Sequence, residues 1–138
     1  MRKIILASHG SLAEGMQSAV DMILRTKGCE AYGLDTYHEP EQIYAIIEAQ
    51  VQAEPDTQFI VMTDINGGSV QNQMLHLCNY PNVYVQTGMC LSMVLETILT
   101  PEGEALEVMM ERICKTSAEN MLGCCAKTMT DTQEEELW

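Results

Sequence analysis

Short apolar runs alternate along the sequence with longer amphipathic stretches. The two strongest runs, residues 4–7 and 59–62, are apolar at every position, and each is followed by a small polar residue, Ser8 or Thr63. Continuous apolar runs of this length are typical of parallel strands that helices cover on both faces. Two weaker runs indicate further strands. The predicted strands span residues 3–8, 30–35, 58–63 and 82–86.

Between these runs, apolar residues recur with the 3.6-residue period of an amphipathic helix. The first stretch, residues 11–26, begins with Ser11 and Glu14, which have the spacing of a capping box. Its apolar positions predict a buried face made of Leu12, Met16, Ala19, Val20 and Ile23. The predicted helices span residues 11–26, 40–54, 69–78, 91–99 and 104–117.

Strands that alternate with helices predict a doubly wound α/β fold with right-handed crossovers. We expect a mostly parallel central sheet of four strands with helices on both faces. Residues 122–129 are the candidate for an additional, antiparallel edge strand. No linker or repeat interrupts the pattern, so residues 1–130 are predicted to form a single domain, and residues 131–138 an acidic tail.

The composition excludes several classes of protein. The formal net charge of −13 disfavours nucleic acid and anionic membranes as partners, because both repel an acidic surface. No apolar run approaches the roughly 20 residues that cross a bilayer, and the N-terminal run is too short for a secretory signal, so we expect a cytoplasmic protein without membrane insertion. Six cysteines include no Cys-x-x-Cys pair, which disfavours a zinc ribbon. Neither a cofactor nor a metal is predicted.

The candidate chemistry lies where the strongest strands end. His9 follows the first strand directly, between Ser8 and Gly10, and Asp64 follows Thr63 at the end of the third. Ligands bind at the carboxyl edge of open α/β sheets. If these two strands are neighbours, Asp64 can hydrogen-bond one imidazole nitrogen and leave the other as a nucleophile.

A glycine-rich turn follows Asp64 and opens the next predicted helix. Its Gly67, Gly68 and Ser69 offer backbone N–H groups and a hydroxyl to an anion. Gly10, which permits a second sharp turn beside His9, is predicted to bind phosphate with them. A nucleophilic imidazole facing such a cradle favours a phosphoryl group passing through the histidine. The sequence has neither the Gly-x-Ser-x-Gly elbow of a hydrolase nor a P-loop.

The other two histidines and a metal site are alternatives to a phosphoryl site at His9. His38 falls in a predicted loop, and His76 falls off the apolar face of its helix, so both are expected at the surface. A metal held by His9 and Asp64 would need a third ligand, for which Cys90 is the nearest candidate. This alternative is weaker than phosphoryl transfer.

These residues resemble the IIA domains of the mannose/fructose/sorbose family of the bacterial sugar phosphotransferase system. The resemblance covers about the first hundred residues well. It rests on Ser8-His9-Gly10, on Thr63-Asp64-x-x-Gly67-Gly68-Ser69, on Asn72, and on the segment from Thr87-Gly88-Met89 to Leu95-Glu96-Thr97.

The resemblance implies a phosphocarrier. The histidine at position 9 would accept a phosphoryl group from phospho-HPr and pass it to a IIB component, which serves a IIC/IID permease. Asp64 would orient the imidazole, and Gly68 and Ser69 would hold the phosphoryl oxygens. Family members are typically homodimers joined by a C-terminal strand, for which residues 122–129 are the candidate. Supporting roles would fall to Ser8, Thr63 and Asn72.

The sequence departs from the family pattern near the predicted pocket. Val70 replaces a proline, Asn66 an aromatic residue, and Cys90-Leu91-Ser92 a common Asn-Leu-Pro. Two related hypotheses about the function stay open at this point. One is a regulatory module that is phosphorylated on His9, and the other is a dihydroxyacetone-kinase-type phosphocarrier subunit, which usually carries Asp-Leu-Gly-Ser instead of Gly-Gly-Ser.

Overall fold

The structure of the protein is a computed structural model, and it describes residues 1–128. The strands are β1 (Arg2–Ser8), β2 (Glu30–Gly33), β3 (Gln58–Thr63) and β4 (Val83–Gln86). The helices are α1 (Leu12–Leu24), α2 (Leu34–Tyr37), α3 (Pro40–Ala53), α4 (Ser69–Met74), α5 (Leu91–Leu99) and α6 (Leu106–Glu119), with a 3₁₀ helix at Leu75–Asn79.

All strand pairs are parallel, and the strand order is β2-β1-β3-β4. The predicted doubly wound α/β fold with a four-stranded sheet is therefore confirmed. The chain leaves β1 toward one edge of the sheet and leaves β3 toward the other. The carboxyl ends of β1 and β3 thus flank the point where the winding reverses, which is where such sheets bind ligands. In the register between them, Ala7 lies opposite Thr63.

Helices cover both faces of the sheet because successive strand residues point to opposite sides. In β1, Ile4 and Leu6 pack into a core beneath α1, α5 and α6. Ile5 and Ala7 pack into a second core beneath α3 and α4. Residues 4–7 of β1 and 59–62 of β3 are thus apolar without interruption, as parallel strands covered on both sides require.

Two predicted elements differ locally from the structure. The second strand ends at Gly33, and residues 34–37 form the short helix α2 rather than strand and loop. The third predicted helix is divided: α4 ends at Met74 and continues as the 3₁₀ helix, which keeps Leu77 buried but leaves Cys78 exposed. A 3₁₀ turn advances three residues per turn, so the predicted 3.6-residue stripe fails at its last position.

The buried face of α1 is rotated from the predicted one. Ala13 and Val20 are fully buried, whereas Leu12 and Ile23 are half exposed. Ser11 makes no side-chain capping bond at the start of this helix, so the predicted capping box with Glu14 is wrong. The helix begins in a sharp turn after β1. The hydroxyl that accepts an N–H of its first turn, that of Ala13, belongs to Ser8 at the end of the strand.

The predicted C-terminal strand is not confirmed, because residues 122–128 form no strand within this chain. These residues are irregular through Cys125 and then turn, and every one of them is exposed. An edge strand requires a neighbour whose N–H and C=O groups it can pair with, and the four described strands of this chain pair only with one another. Residue 129 lies outside the described residues. None of the described helices combines the length and the hydropathy of a bilayer-spanning segment.

Candidate functional site

The turn after β1 presents His9 at the protein surface. Gly10 has a positive φ of 52°, which favours glycine, and α1 begins two residues later. The His9 side chain is 46% exposed. The predicted position of His9, at the carboxyl edge of the sheet and before a helix, is the observed one.

Ser8 ties β1 to α1 on either side of His9. Its hydroxyl oxygen accepts the Ala13 N–H at 2.7 Å, and the hydroxyl donates to the His9 carbonyl at 2.9 Å. Ser8 itself is completely buried. A buried hydroxyl with both functions satisfied fixes the backbone of His9 between a rigid strand and a rigid helix.

Asp64 follows β3 and contacts His9 twice. One of its carboxylate oxygens, Oδ2, accepts the His9 backbone N–H at 2.8 Å and lies 2.9 Å from Nδ1 of the ring. An ionised carboxylate only accepts hydrogen bonds, so Nδ1 must carry the hydrogen. In the neutral imidazole the free lone pair is then on Nε2, which points away from Asp64.

The carboxylate of Asp64 is charged at neutral pH. Its side chain is only 9% exposed, and burial alone would raise its pKa. The hydrogen bonds from the His9 backbone and ring outweigh burial and hold the pKa of Asp64 below its ordinary value of 3.8. The Oδ1 atom also accepts the Ile65 N–H at 3.0 Å, so both carboxylate oxygens are fixed.

The other side of the imidazole faces the glycine-rich turn. The Ser69 hydroxyl lies 3.4 Å from Nε2, a long contact that leaves the nitrogen accessible. A Cβ atom at Gly68 would lie 3.1 Å from the His9 ring carbon Cε1 and 2.8 Å from Cγ2 of Ile65. Gly68 is therefore needed for close approach of the turn to the ring, rather than for an unusual φ, which is −77°.

Gly67 supplies the positive φ of this turn, at 81°, but its N–H is already engaged. It donates to the side-chain oxygen of Gln71 at 2.5 Å. Sequence reasoning missed Gln71. The signal was available: Gln71 stands three residues after the N-cap Gly68, the position from which Glu or Gln reaches back in a capping box.

The remaining predicted residues lie in different places. Thr63 is buried, and its hydroxyl points to the Gln86 carbonyl at 3.5 Å, so it joins β3 to β4. Asn72 is exposed on α4. His38 is exposed, and His76 is exposed beside the Tyr44 ring, with ring centroids 6.4 Å apart.

The His9 imidazole lies at an exposed surface, with 46% of its side chain accessible. A cavity of about 770 Å³ lies between α5 and α6, and none of the site residues lines it. Within residues 1–128, no three His, Cys, Asp or Glu side chains are grouped so that they could hold a metal ion. Because nearly half of the His9 side chain is exposed, its ring is accessible to a partner as large as another protein.

Comparisons with known proteins show the family of this chain and the proteins that share its fold. A family model described as "PTS system fructose IIA component" (EIIA-man) matches residues 3–114. No curated protein sequence matches the chain.

Several solved structures share the fold. The phosphotransferase system component EIIA of Streptococcus agalactiae is 22% identical, with a TM-score of 0.79 over 89% of this chain and 97% of that chain. The mannose/sorbose-specific IIA subunit of Enterococcus faecalis is 21% identical, with a TM-score of 0.75 over 94% and 98%. A PTS IIA protein associated with the fucose utilisation operon of Streptococcus pneumoniae is 22% identical, with a TM-score of 0.68 over 88% and 92%.

The family model spans most of the chain, including every residue that contacts His9. The family that the sequence resembles is thus confirmed. The protein belongs to the EIIA-man family, the IIA components of the bacterial sugar phosphotransferase system.

Proposed function

We propose that His9 accepts a phosphoryl group from phospho-HPr and passes it to a IIB component. Membership of the IIA family supports a phosphocarrier role in sugar uptake. The observation that carries the specific assignment is the 2.9 Å contact between Nδ1 of His9 and Asp64, because it leaves Nε2 as a nucleophile at an open surface.

The proposed step moves one phosphoryl group between two imidazoles. The Nε2 lone pair of His9 attacks phosphorus while the phosphorus–nitrogen bond of the donor histidine breaks. The hydrogen on Nδ1 stays in place, and positive charge develops on the His9 ring as its new bond forms. The Asp64 carboxylate, itself held in the charged form, stabilises that charge. Transfer to the IIB component is the same step in reverse.

The turn beside the ring is suited to the phosphoryl oxygens. Helix α4 begins at Ser69, so its first N–H groups have no carbonyl one turn earlier in the helix. The Ser69 hydroxyl is a donor on the Nε2 side of the ring, and the free N–H groups at the start of α4 begin at the same residue. Gly68 keeps that side clear of a side chain. Catalysis here is mostly positioning and charge stabilisation, as phosphoryl transfer requires.

A protein fits this site better than a small molecule. The ring is nearly half exposed, and apolar side chains flank it: Ile65 is 58% exposed and Leu12 is 50% exposed. Exposed apolar residues around a reactive group favour docking of a protein surface. HPr and IIB would therefore approach the same face in turn. We expect this to take place in the cytoplasm.

The test is phosphorylation in a reconstituted chain. The protein is incubated with phosphoenolpyruvate, enzyme I and HPr, and its intact mass is measured. We expect a single added phosphoryl group that is labile in acid and stable in alkali, and no addition in His9→Ala. Labelling of His9→Ala at the wild-type rate would overturn the assignment.

We also propose that residues 1–130 act as one domain and that two copies associate. Met121 and Leu122 are 70% and 68% exposed, and within the described residues this segment has no strand to pair with. Pairing with a second copy would cover it. Sedimentation velocity should give a dimer for the full chain and a monomer for a chain ending at residue 120. A dimer in both would place the interface elsewhere.

A further inference from the structure

We propose that Gln71 is a positioning residue for phosphoryl transfer, acting through the Gly67 N–H. This inference rests on the proposed function of His9. The carboxamide oxygen of Gln71 accepts the Gly67 N–H at 2.5 Å, and this contact is at the protein surface. The neighbouring Gly67-Gly68-Ser69 motif assigns no role to the Gln71 side chain.

Few other hydrogen bonds hold the turn that Gln71 contacts, and one of them, from the Asn72 N–H to the Gly68 carbonyl at 3.0 Å, is the first bond of α4. Between Asp64 and Ser69, the Ile65 N–H binds Oδ1 of Asp64 at 3.0 Å. The Gly68 N–H reaches the Ile65 carbonyl only at 3.4 Å, near the limit for a hydrogen bond. The contact from Gln71 is therefore the shortest that the turn makes, and it anchors the residue with φ of 81°.

The same turn sets what the imidazole meets. Gly68 lies against the ring carbon Cε1 and against Ile65, and Ser69 lies 3.4 Å from Nε2. A shift of the turn by a few tenths of an ångström would change both contacts. Gly68 is the N-cap of α4 and has no side chain with which to cap the helix. Gln71 reaches back from within α4 and ties helix and turn together at the point closest to His9.

Gln71 and the reacting groups do not compete. The hydrogen on Nδ1 belongs to the bond with Asp64, and the Ser69 hydroxyl is on the Nε2 side. Within the described residues, the Gln71 side chain makes no hydrogen bond to either ring nitrogen of His9. It binds the backbone N–H of Gly67 instead. Its effect should thus fall on the rate of transfer rather than on the identity of the phosphorylated atom.

The test compares three variants with wild type. Gln71→Met has a similar length but no acceptor for the Gly67 N–H, whereas Gln71→Glu keeps an acceptor oxygen. Gln73→Met makes the same chemical change two residues further along α4 and is the control. The measurements are the single-turnover rate of phosphorylation by phospho-HPr and the hydrogen-exchange protection of the Gly67 amide.

We expect Gln71→Met to lose Gly67 protection and to accept phosphate about threefold to tenfold more slowly, the effect of one lost hydrogen bond. Gln71→Glu should keep the protection and at least about a third of the wild-type rate, a threefold allowance for the added charge. Gln73→Met should match wild type.

Three results would overturn the inference: an unchanged rate in Gln71→Met, unchanged Gly67 protection in that variant, or equal slowing in Gln71→Glu. Wild type that fails to accept phosphate refutes the proposed function instead.

Discussion

Replacing Asp64 by asparagine tests the contact on which the proposed chemistry depends. Asp64 accepts three hydrogen bonds, from the His9 N–H at 2.8 Å, from Nδ1 at 2.9 Å and from the Ile65 N–H at 3.0 Å. Asparagine has nearly the same shape, but only one of its two terminal atoms can accept. The substitution therefore leaves space filled and changes hydrogen bonding and charge.

Either orientation of the new amide is unfavourable. With its oxygen toward His9, two charge-assisted bonds become neutral, and the NH₂ group faces the Ile65 N–H. With the NH₂ group toward His9, it faces the backbone N–H, and Nδ1 must become the acceptor, which moves the ring hydrogen to Nε2 and removes the nucleophile. Weaker bonds and one donor–donor contact cost about 2–4 kcal/mol, which corresponds to transfer about 30- to 1,000-fold slower.

Rapid-quench measurement of phosphoryl acceptance from phospho-HPr gives this rate directly. Asp56→Asn, an exposed position, makes the same charge change and should transfer at the wild-type rate. A rate for Asp64→Asn within threefold of wild type would refute the reasoning.

Acid unfolding gives a second readout of Asp64. The pKa of Asp64 is lower in the folded protein than its ordinary 3.8, so its contribution to stability is present above that pH and is lost as pH falls through the folded pKa. The difference in melting temperature between wild type and Asp64→Asn should accordingly shrink below pH 3.8. A difference that stays constant down to pH 2 would contradict the assignment of this charge.

Four further substitutions test the account, three beside the site and one at a remote contact. Ser8→Ala leaves the Ala13 N–H without its acceptor and should lower the free energy of unfolding by about 1–3 kcal/mol in urea titration. Gly67→Ala must adopt a positive φ and should lower the free energy of unfolding by about 1–2 kcal/mol. Gly68→Ala would place a Cβ 2.8 Å from Ile65 Cγ2 and 3.1 Å from the His9 ring, so it should displace the ring and slow phosphoryl transfer about tenfold or more. Glu48→Gln should lower the pKa of Tyr44 from about 12 toward 10 in ultraviolet titration, since its hydrogen bond to Glu48 stabilises the neutral phenol.

The sequence was sufficient to predict the sheet and the edge at which His9 and Asp64 lie, whereas their contact also required β1 and β3 to be neighbours, which the structure shows. Both follow from apolar runs that are buried on two faces, which fixes strands β1 and β3, and from the rule that parallel strands end at one edge. The polar residues directly after those runs could be placed without knowing any side-chain contact.

The details that sequence reasoning missed depend on choices between similar local bonds. Ser11 and Ser8 are both able to cap α1, and only the turn at Gly10 decides for Ser8. Gln71 and the preceding turn form a variant of the capping box that reaches one residue further back. The C-terminal strand predicted for residues 122–129 needs a neighbouring strand to pair with, and the sequence of that segment does not specify one.

The central claim is that Asp64 holds Nδ1 and leaves Nε2 to carry the phosphoryl group. Nitrogen-15 correlation spectra of the phosphorylated protein, with labelled histidine, distinguish the two ring nitrogens. The account predicts a phosphorus-coupled Nε2 on His9, with hydrogen retained on Nδ1. A phosphoryl group on Nδ1 of His9, or on any residue other than His9, would contradict it.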